Sequence, residues 1–265
     1  MTRWAVQLEY DGTGFVGWQR QANGLSIQQV LEDAAAHLAG GPVSSIVAGR
    51  TDAGVHALGQ VAHFDLFREI GAERLVQALN FHMRPHRVCV LRAAMVPDDW
   101  SARFSAMARS YRYVILNRPA RPALAEGRVW HVPQPLDVAA MAEGARLLLG
   151  RHDFSSFRAA SCQAESPVRT LDRLEVFRDG DCVVVEAGAR SFLHHQVRNM
   201  VGTLKLVGEG RWPAERMAAA LAAADRRAAG PTAPACGLFL MNVSYPDEPF
   251  RDDFPAGATA IRHDP

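Results

Sequence analysis

The sequence predicts an α+β fold: two α/β lobes on largely antiparallel sheets, with a crevice between them. Three observations carry that expectation. Strand-like alternation and helical spacing mix in both halves of the chain, Asp179-Gly180 turns one strand-like run into another, and four prolines interrupt the stretch between the halves. The crevice between lobes is where a site is expected.

Taken in order, residues 3–10 alternate like a strand and run into Tyr10-Asp11-Gly12-Thr13-Gly14, whose glycines mark a turn. Ser26 and Gln29 have capping-box spacing, Ile27, Val30, Leu31, Ala34, Ala35 and Leu38 recur at helical spacing, and Gly40-Gly41 stops the helix. Residues 43–48 read as a strand, 49–57 as a glycine-flanked loop, 60–66 as a strand, 72–81 as a helix and 88–93 as a strand. A further strand over 111–116 leads to Pro119, Pro122, Pro133 and Pro135, which suggest a connector. A helix is expected over 137–149, a hairpin from 168–177 and 182–187, and a long helix capped by Ser191 with Leu193, Val197, Val201 and Leu204 on one face. Pro213 opens another helix to 224, and a strand over 237–245 closes the pattern. The expected units are an N-terminal domain over 1–117, a connector over 118–136, a second domain over 137–246 and an acidic tail over 247–265.

Composition excludes several classes. With 48% hydrophobic and 22% charged residues the chain is in the range of soluble globular proteins, and no apolar run is long enough to span a bilayer. No membrane partner is expected. Met1-Thr2-Arg3-Trp4 leads directly into the first strand pattern without a signal-like segment, so a cytoplasmic location is expected. Cys89, Cys162, Cys182 and Cys236 are too scattered for a zinc or redox motif and are expected to be reduced. A net charge of +1 argues against indiscriminate coating of nucleic acid, but residues 101–128 hold six arginines and one acid, Glu126. That is a phosphate-sized basic stretch.

Three clusters can carry chemistry. Asp52 lies in Gly49-Arg50-Thr51-Asp52-Ala53-Gly54-Val55-His56, where glycines permit a loop that aims one carboxylate into a cleft. The same aspartate can instead cap its own turn. In the second cluster Arg103, Arg109 and Arg112 interleave with Tyr111 and Tyr113. On a strand both tyrosines share one face, suited to stacking on a base while the arginines meet phosphate, or else to filling a core beneath solvated arginines. In the third, His194 and His195 would point some 100° apart on a helix, which suits a single metal poorly, and no metal is expected there. Arg198, at the edge of that helix's apolar face, can reach a carboxylate across the cleft.

Together these blocks resemble the TruA family of transfer RNA pseudouridine synthases. The resemblance also takes in Tyr10-Asp11-Gly12, Gly17-Trp18-Gln19, the strand Gly59-Gln60-Val61-Ala62-His63-Phe64, Gly150-Arg151-His152-Asp153-Phe154 and Ala235-Cys236-Gly237-Leu238, and it covers nearly the whole chain to about residue 245. It implies that Asp52 is the catalytic aspartate, Tyr111 the active-site tyrosine, Arg198 the partner of the aspartate and Arg50 the loop arginine that helps hold a flipped nucleotide. It implies the pseudouridine synthase fold, a homodimer, no cofactor, and action on uridines 38, 39 and 40 of the tRNA anticodon stem-loop. Beside Arg198 the Asp52 carboxylate would be ionised, fit to act as nucleophile or base and not as acid.

Two other readings fit less. Asp52-Ala53-Gly54 is similar to the loop of a dimeric aspartic protease, but Ala53 lacks the hydroxyl that braces that loop and the α/β pattern is wrong for an all-β enzyme. A non-catalytic RNA-binding protein would account for the arginines and tyrosines but gains nothing from a carboxylate facing phosphate.

Overall fold

The computed structural model describes residues 1–250, so the expected tail from residue 251 onward lies outside the described residues. Its strands are β1 (Thr2–Tyr10), β2 (Ile46–Val47), β3 (His56–Leu66), β4 (Val88–Val96), β5 (Ala108–Leu116), β6 (Trp130–His131), β7 (Gly150–Asp153), β8 (Val168–Asp179), β9 (Cys182–Ala189) and β10 (Leu238–Ser244). All join one sheet in the order β4-β1-β3-β10-β5-β9-β8-β7, with β2 on β3 and β6 on β5. Pairing is antiparallel except for β10 on β3 and β6 on β5. The α+β class and the mostly antiparallel sheet are as expected. The two lobes, however, are halves of one continuous sheet, because β10 is inserted between β3 and β5.

Helices α1 (Ile27–Ala39) and α2 (Ala72–His82) belong to the first half, and α3 (Val138–Arg146), α4 (Gln196–Gly208) and α5 (Arg216–Ala222) to the second. Two apolar cores result. One gathers Trp4, Leu8, Trp18, Leu31, Phe64 and Leu79; the other gathers Tyr113, Phe154, Phe157, Val185, Met200 and Leu204. Tyr111 packs against both, which places it at their junction.

Local chemistry set most boundaries where expected. Ser26 accepts a hydrogen bond from the Gln29 amide to start α1, Gly40 ends it in the left-handed region at φ 71°, and Asp137 caps α3 through the Ala140 amide. The expected 43–48 strand is only β2, whereas β3 begins four residues earlier than expected, at His56. The connector is not structureless: β6 pairs with β5, and Asn117 donates to the carbonyls of Val132 and Gln134. Ser191 does not cap α4. Residues before Gln196 form a turn in which the Gln196 side chain accepts from the Leu193 amide and His195 adopts φ 62°, a left-handed conformation uncommon outside glycine. Likewise Pro213 begins a turn and α5 follows at Arg216.

Candidate active site

The loop from Ala48 to Val55 is held from below by residues far away in sequence. Tyr10 and Thr51 share a hydroxyl hydrogen bond of 2.8 Å, and the buried Gln60 amide donates to both the Tyr10 hydroxyl and the Gly49 carbonyl. Trp18 donates its backbone N–H to Thr51. Two glycines let the neighbouring backbone come this close: a Cβ on Gly12 would lie 2.1 Å from the Val55 carbonyl oxygen, and one on Gly17 2.8 Å from that of Thr51. The Tyr10-Asp11-Gly12 and Gly17-Trp18 pieces of the sequence thus form the cradle of the Asp52 loop.

Asp52 does not use its side chain to cap the turn; there Val55 donates to the Asp52 backbone carbonyl. The carboxylate instead meets Arg198, whose Nη1 donates to Oδ2 at 2.8 Å. Arg198 is itself held, since its Nε donates to the Ala233 carbonyl at 2.8 Å while the Ala233 amide donates back to the Arg198 carbonyl. One face of α4 builds this arrangement. Asn199 accepts from the Thr232 hydroxyl and donates to Phe157, Thr203 accepts from the Gly230 amide, and a Cβ on Gly202 would lie 1.8 Å from the Pro231 carbonyl oxygen. The segment over 230–233 is therefore pressed onto the helix, and its last residue orients the arginine.

Two further groups reach Asp52. His194 Nε2 lies 3.2 Å from Oδ1 and His195 Nε2 lies 3.3 Å from Oδ2. The spacing argument missed both, because it placed them on a helix; the left-handed turn at His195 brings both rings to the same side, with centroids 4.1 Å apart. The two rings do not diverge as expected, and with Asp52 they form a group whose donor atoms lie within 4.8 Å of one another. Burial lowers the basicity of His195, against the nearby Asp52 charge, which favours its protonation.

Tyr111 stands at the same junction, half-buried, with its ring edge-on to Phe192 at 5.2 Å between centroids. Burial, and then the Tyr10 hydroxyl and the Asp52 charge, push its phenol well above the ordinary range, so it is a neutral hydroxyl. Tyr113 shares the strand face but not the role: it is fully buried and its hydroxyl donates to Pro234.

The basic stretch behaves differently from expectation. Arg109 is buried, and its guanidinium donates to the carbonyls of Ala48, Arg103, Ala106 and Arg190, so it cannot meet a phosphate. Arg112 donates through Nε and Nη2 to Glu186, its register partner on β9, which also pairs with Arg173. Arg118 pairs with Asp181 and Arg128 with Asp11. Of the six arginines, Arg103 and Arg121 are exposed and have no carboxylate partner among the described residues. Arg50, two residues before Asp52, is also exposed and has no carboxylate partner among the described residues. The carbonyls of Ala48, Arg103 and Arg190 all converge on Arg109, which gathers Arg50, Arg103 and Arg190 around the Asp52 loop.

The mixed, mainly antiparallel sheet thus carries a loop aspartate locked to a helix arginine beside a neutral tyrosine, an arrangement whose carboxylate could serve as a general base or a nucleophile. A family model described as tRNA pseudouridine synthase matches residues 6–105 and 145–246. The chain belongs to the TruA family of transfer RNA pseudouridine synthases, isomerases of tRNA uridine. Relatives called tRNA pseudouridine synthase A include that of Acidiphilium cryptum, 68% identical over 94% of this chain and 99% of the relative. Those of Gluconobacter oxydans and Rhodospirillum rubrum are 57% and 60% identical over 94% of this chain, covering 92% and 89% of their own lengths. Among the described residues no helix is long and apolar enough to cross a membrane.

Proposed function

We propose that the enzyme converts uridine to pseudouridine at positions 38, 39 and 40 of the tRNA anticodon stem-loop, with Asp52 as its catalytic carboxylate and the target nucleotide flipped into the site. The observation that carries this reading is the Asp52 carboxylate held at 2.8 Å by an arginine that is itself anchored to Ala233. The reaction breaks the C1′–N1 bond, turns the uracil, joins C5 to C1′ and removes the C5 proton, with no redox step. A carboxylate fixed in this way can serve it as nucleophile at C1′ or as base at C2′.

Tyr111, at the junction beside Asp52, would lie against the base, and its neutral phenol can relay the C5 proton. Flipping a stacked or paired uridine costs a few kcal/mol, which contacts from Arg50 and the exposed arginines around the loop would offset. The reading includes a cytoplasmic homodimer that needs no cofactor.

The test is tritium release from an unmodified tRNA labelled at uracil C5, with wild type and Asp52→Asn side by side. Wild type is expected to release the label and the variant to release none while still binding tRNA. Appreciable release by Asp52→Asn would remove Asp52 from this role.

A further inference from the structure

We propose that Asp52, His194 and His195 form a binding site for a zinc-class divalent cation, and that occupancy takes the Asp52 carboxylate out of catalysis. The blocking half of this proposal rests on the role assigned to Asp52 above; the cation site itself does not.

The three residues stand close enough to share one ion. Nitrogen or oxygen ligands about 2.0–2.1 Å from a zinc ion, set at tetrahedral angles, stand about 3.3 Å from one another. His194 Nε2 lies 3.2 Å from Asp52 Oδ1 and His195 Nε2 3.3 Å from Oδ2, and one donor atom from each residue falls within 4.8 Å of the others. Of the contacts that Asp52 makes with His194, His195 and Arg198, the Arg198 one has hydrogen-bond geometry.

Two imidazoles and one carboxylate with an open fourth position are a ligand set that zinc-class ions accept, and hard oxygen-seeking cations such as magnesium do not favour. The groups behind the ligands also fit. Ser161 Oγ lies 3.4 Å from His194 Nδ1 and can accept its proton, which leaves Nε2 bare for the cation. Asp52 can ligate through Oδ1 while Oδ2 keeps its hydrogen bond from Arg198, as ligating carboxylates commonly do.

The Arg198 charge opposes a cation, so binding is weaker than at a structural zinc site and readily reversed by a chelator. With Oδ1 committed to the ion, the carboxylate can neither attack a sugar carbon nor take a proton from one. The site therefore makes free zinc an inhibitor that competes with the flipped nucleotide.

Cobalt(II), whose visible bands report a tetrahedral site, is the direct probe. The titration compares wild type with His194→Gln and with His195→Asn, the latter chosen because asparagine tolerates the left-handed backbone at that position. Wild type is expected to develop intense bands that zinc displaces, and both variants to lose them. In the tritium-release assay zinc should slow wild type and a chelator restore it. Half-inhibition in each variant, relative to its own metal-free rate, should need at least about tenfold more zinc.

No bands in wild type, or bands that survive both substitutions, would overturn the site. Bands with undiminished turnover would overturn the blocking and, with it, the placement of Asp52 at the reacting centre. Absence of tritium release from metal-free wild type would instead defeat the proposed reaction, while the cobalt spectrum would still decide the cation site.

Discussion

At the scale of single residues, Arg198 uses two arms of one rigid fork. Nε is spent on Ala233 and Nη1 on Asp52, and the side chain is only 14% exposed. Lysine would keep the charge but present a single flexible ammonium, unable to hold both acceptors in fixed directions. Arg198→Lys is therefore expected to lower turnover by about 100-fold, with a fall in thermal midpoint of less than about 5 °C. A large loss of stability with turnover retained would make Arg198 a structural residue. Asp52 and its arginine were legible in the sequence because flanking glycines free the aspartate's loop to turn its carboxylate outward, and Arg198 lies at the edge of an apolar helix face from which it can reach that carboxylate. His194 and His195 were not, because their convergence depends on a left-handed turn that no glycine announces.

At the scale of elements, the same hidden turn explains why α4 begins five residues after Ser191, while the cap at Ser26 could be read directly. Arg109 shows the complementary failure. Its neighbours in sequence suggest a phosphate-binding strand, yet its side chain lies on the buried face of β5 and ties together the loops that carry Arg50, Arg103 and Arg190. Removing it would take the donor from four carbonyls, two of them in buried hydrogen bonds, so Arg109→Met is expected to destabilise the fold by on the order of 3 kcal/mol, read from urea unfolding. The salt dependence of tRNA binding separates the two classes of arginine. Arg50→Ala and Arg103→Ala should each reduce the log-log slope by about one unit, whereas Arg112→Ala, whose charge is already met by Glu186, should leave it nearly unchanged. Slopes unchanged from wild type in all three variants would mean that phosphate is met elsewhere.

At the scale of the molecule, the strand and helix patterns revealed the α+β class, but not that one sheet runs through both halves. That continuity comes from β10 pairing with β3 and β5, contacts between the end of the described chain and its first half, which no local pattern encodes. His56 secures the same junction. Its Nδ1 accepts from the Gly12 amide at 3.0 Å and its Nε2 faces the carbonyls of Gly127 and Cys236, so one buried ring joins the first loop, the connector and the approach to β10. This pattern needs the neutral ring. Burial pushes the His56 pKa down, and prevails over the Asp11 charge and the two carbonyls, which favour the proton. Burial likewise lowers His63, whose Nδ1 accepts from the Ala102 amide. In the unfolded chain both imidazoles take up a proton as pH falls through about 6.5, while the folded protein resists. The unfolded state then binds more protons, so stability must decline as pH drops below that value, well before the carboxylates titrate. Thermal midpoints at pH 7.5 and 5.5 test this, with His56→Gln as the control, since an amide can accept from Gly12 and donate to Gly127 without titrating. The gap between the two midpoints should narrow in His56→Gln. A gap of unchanged size would place the proton-linked loss of stability at other groups and leave His56 as a bridge without a titration.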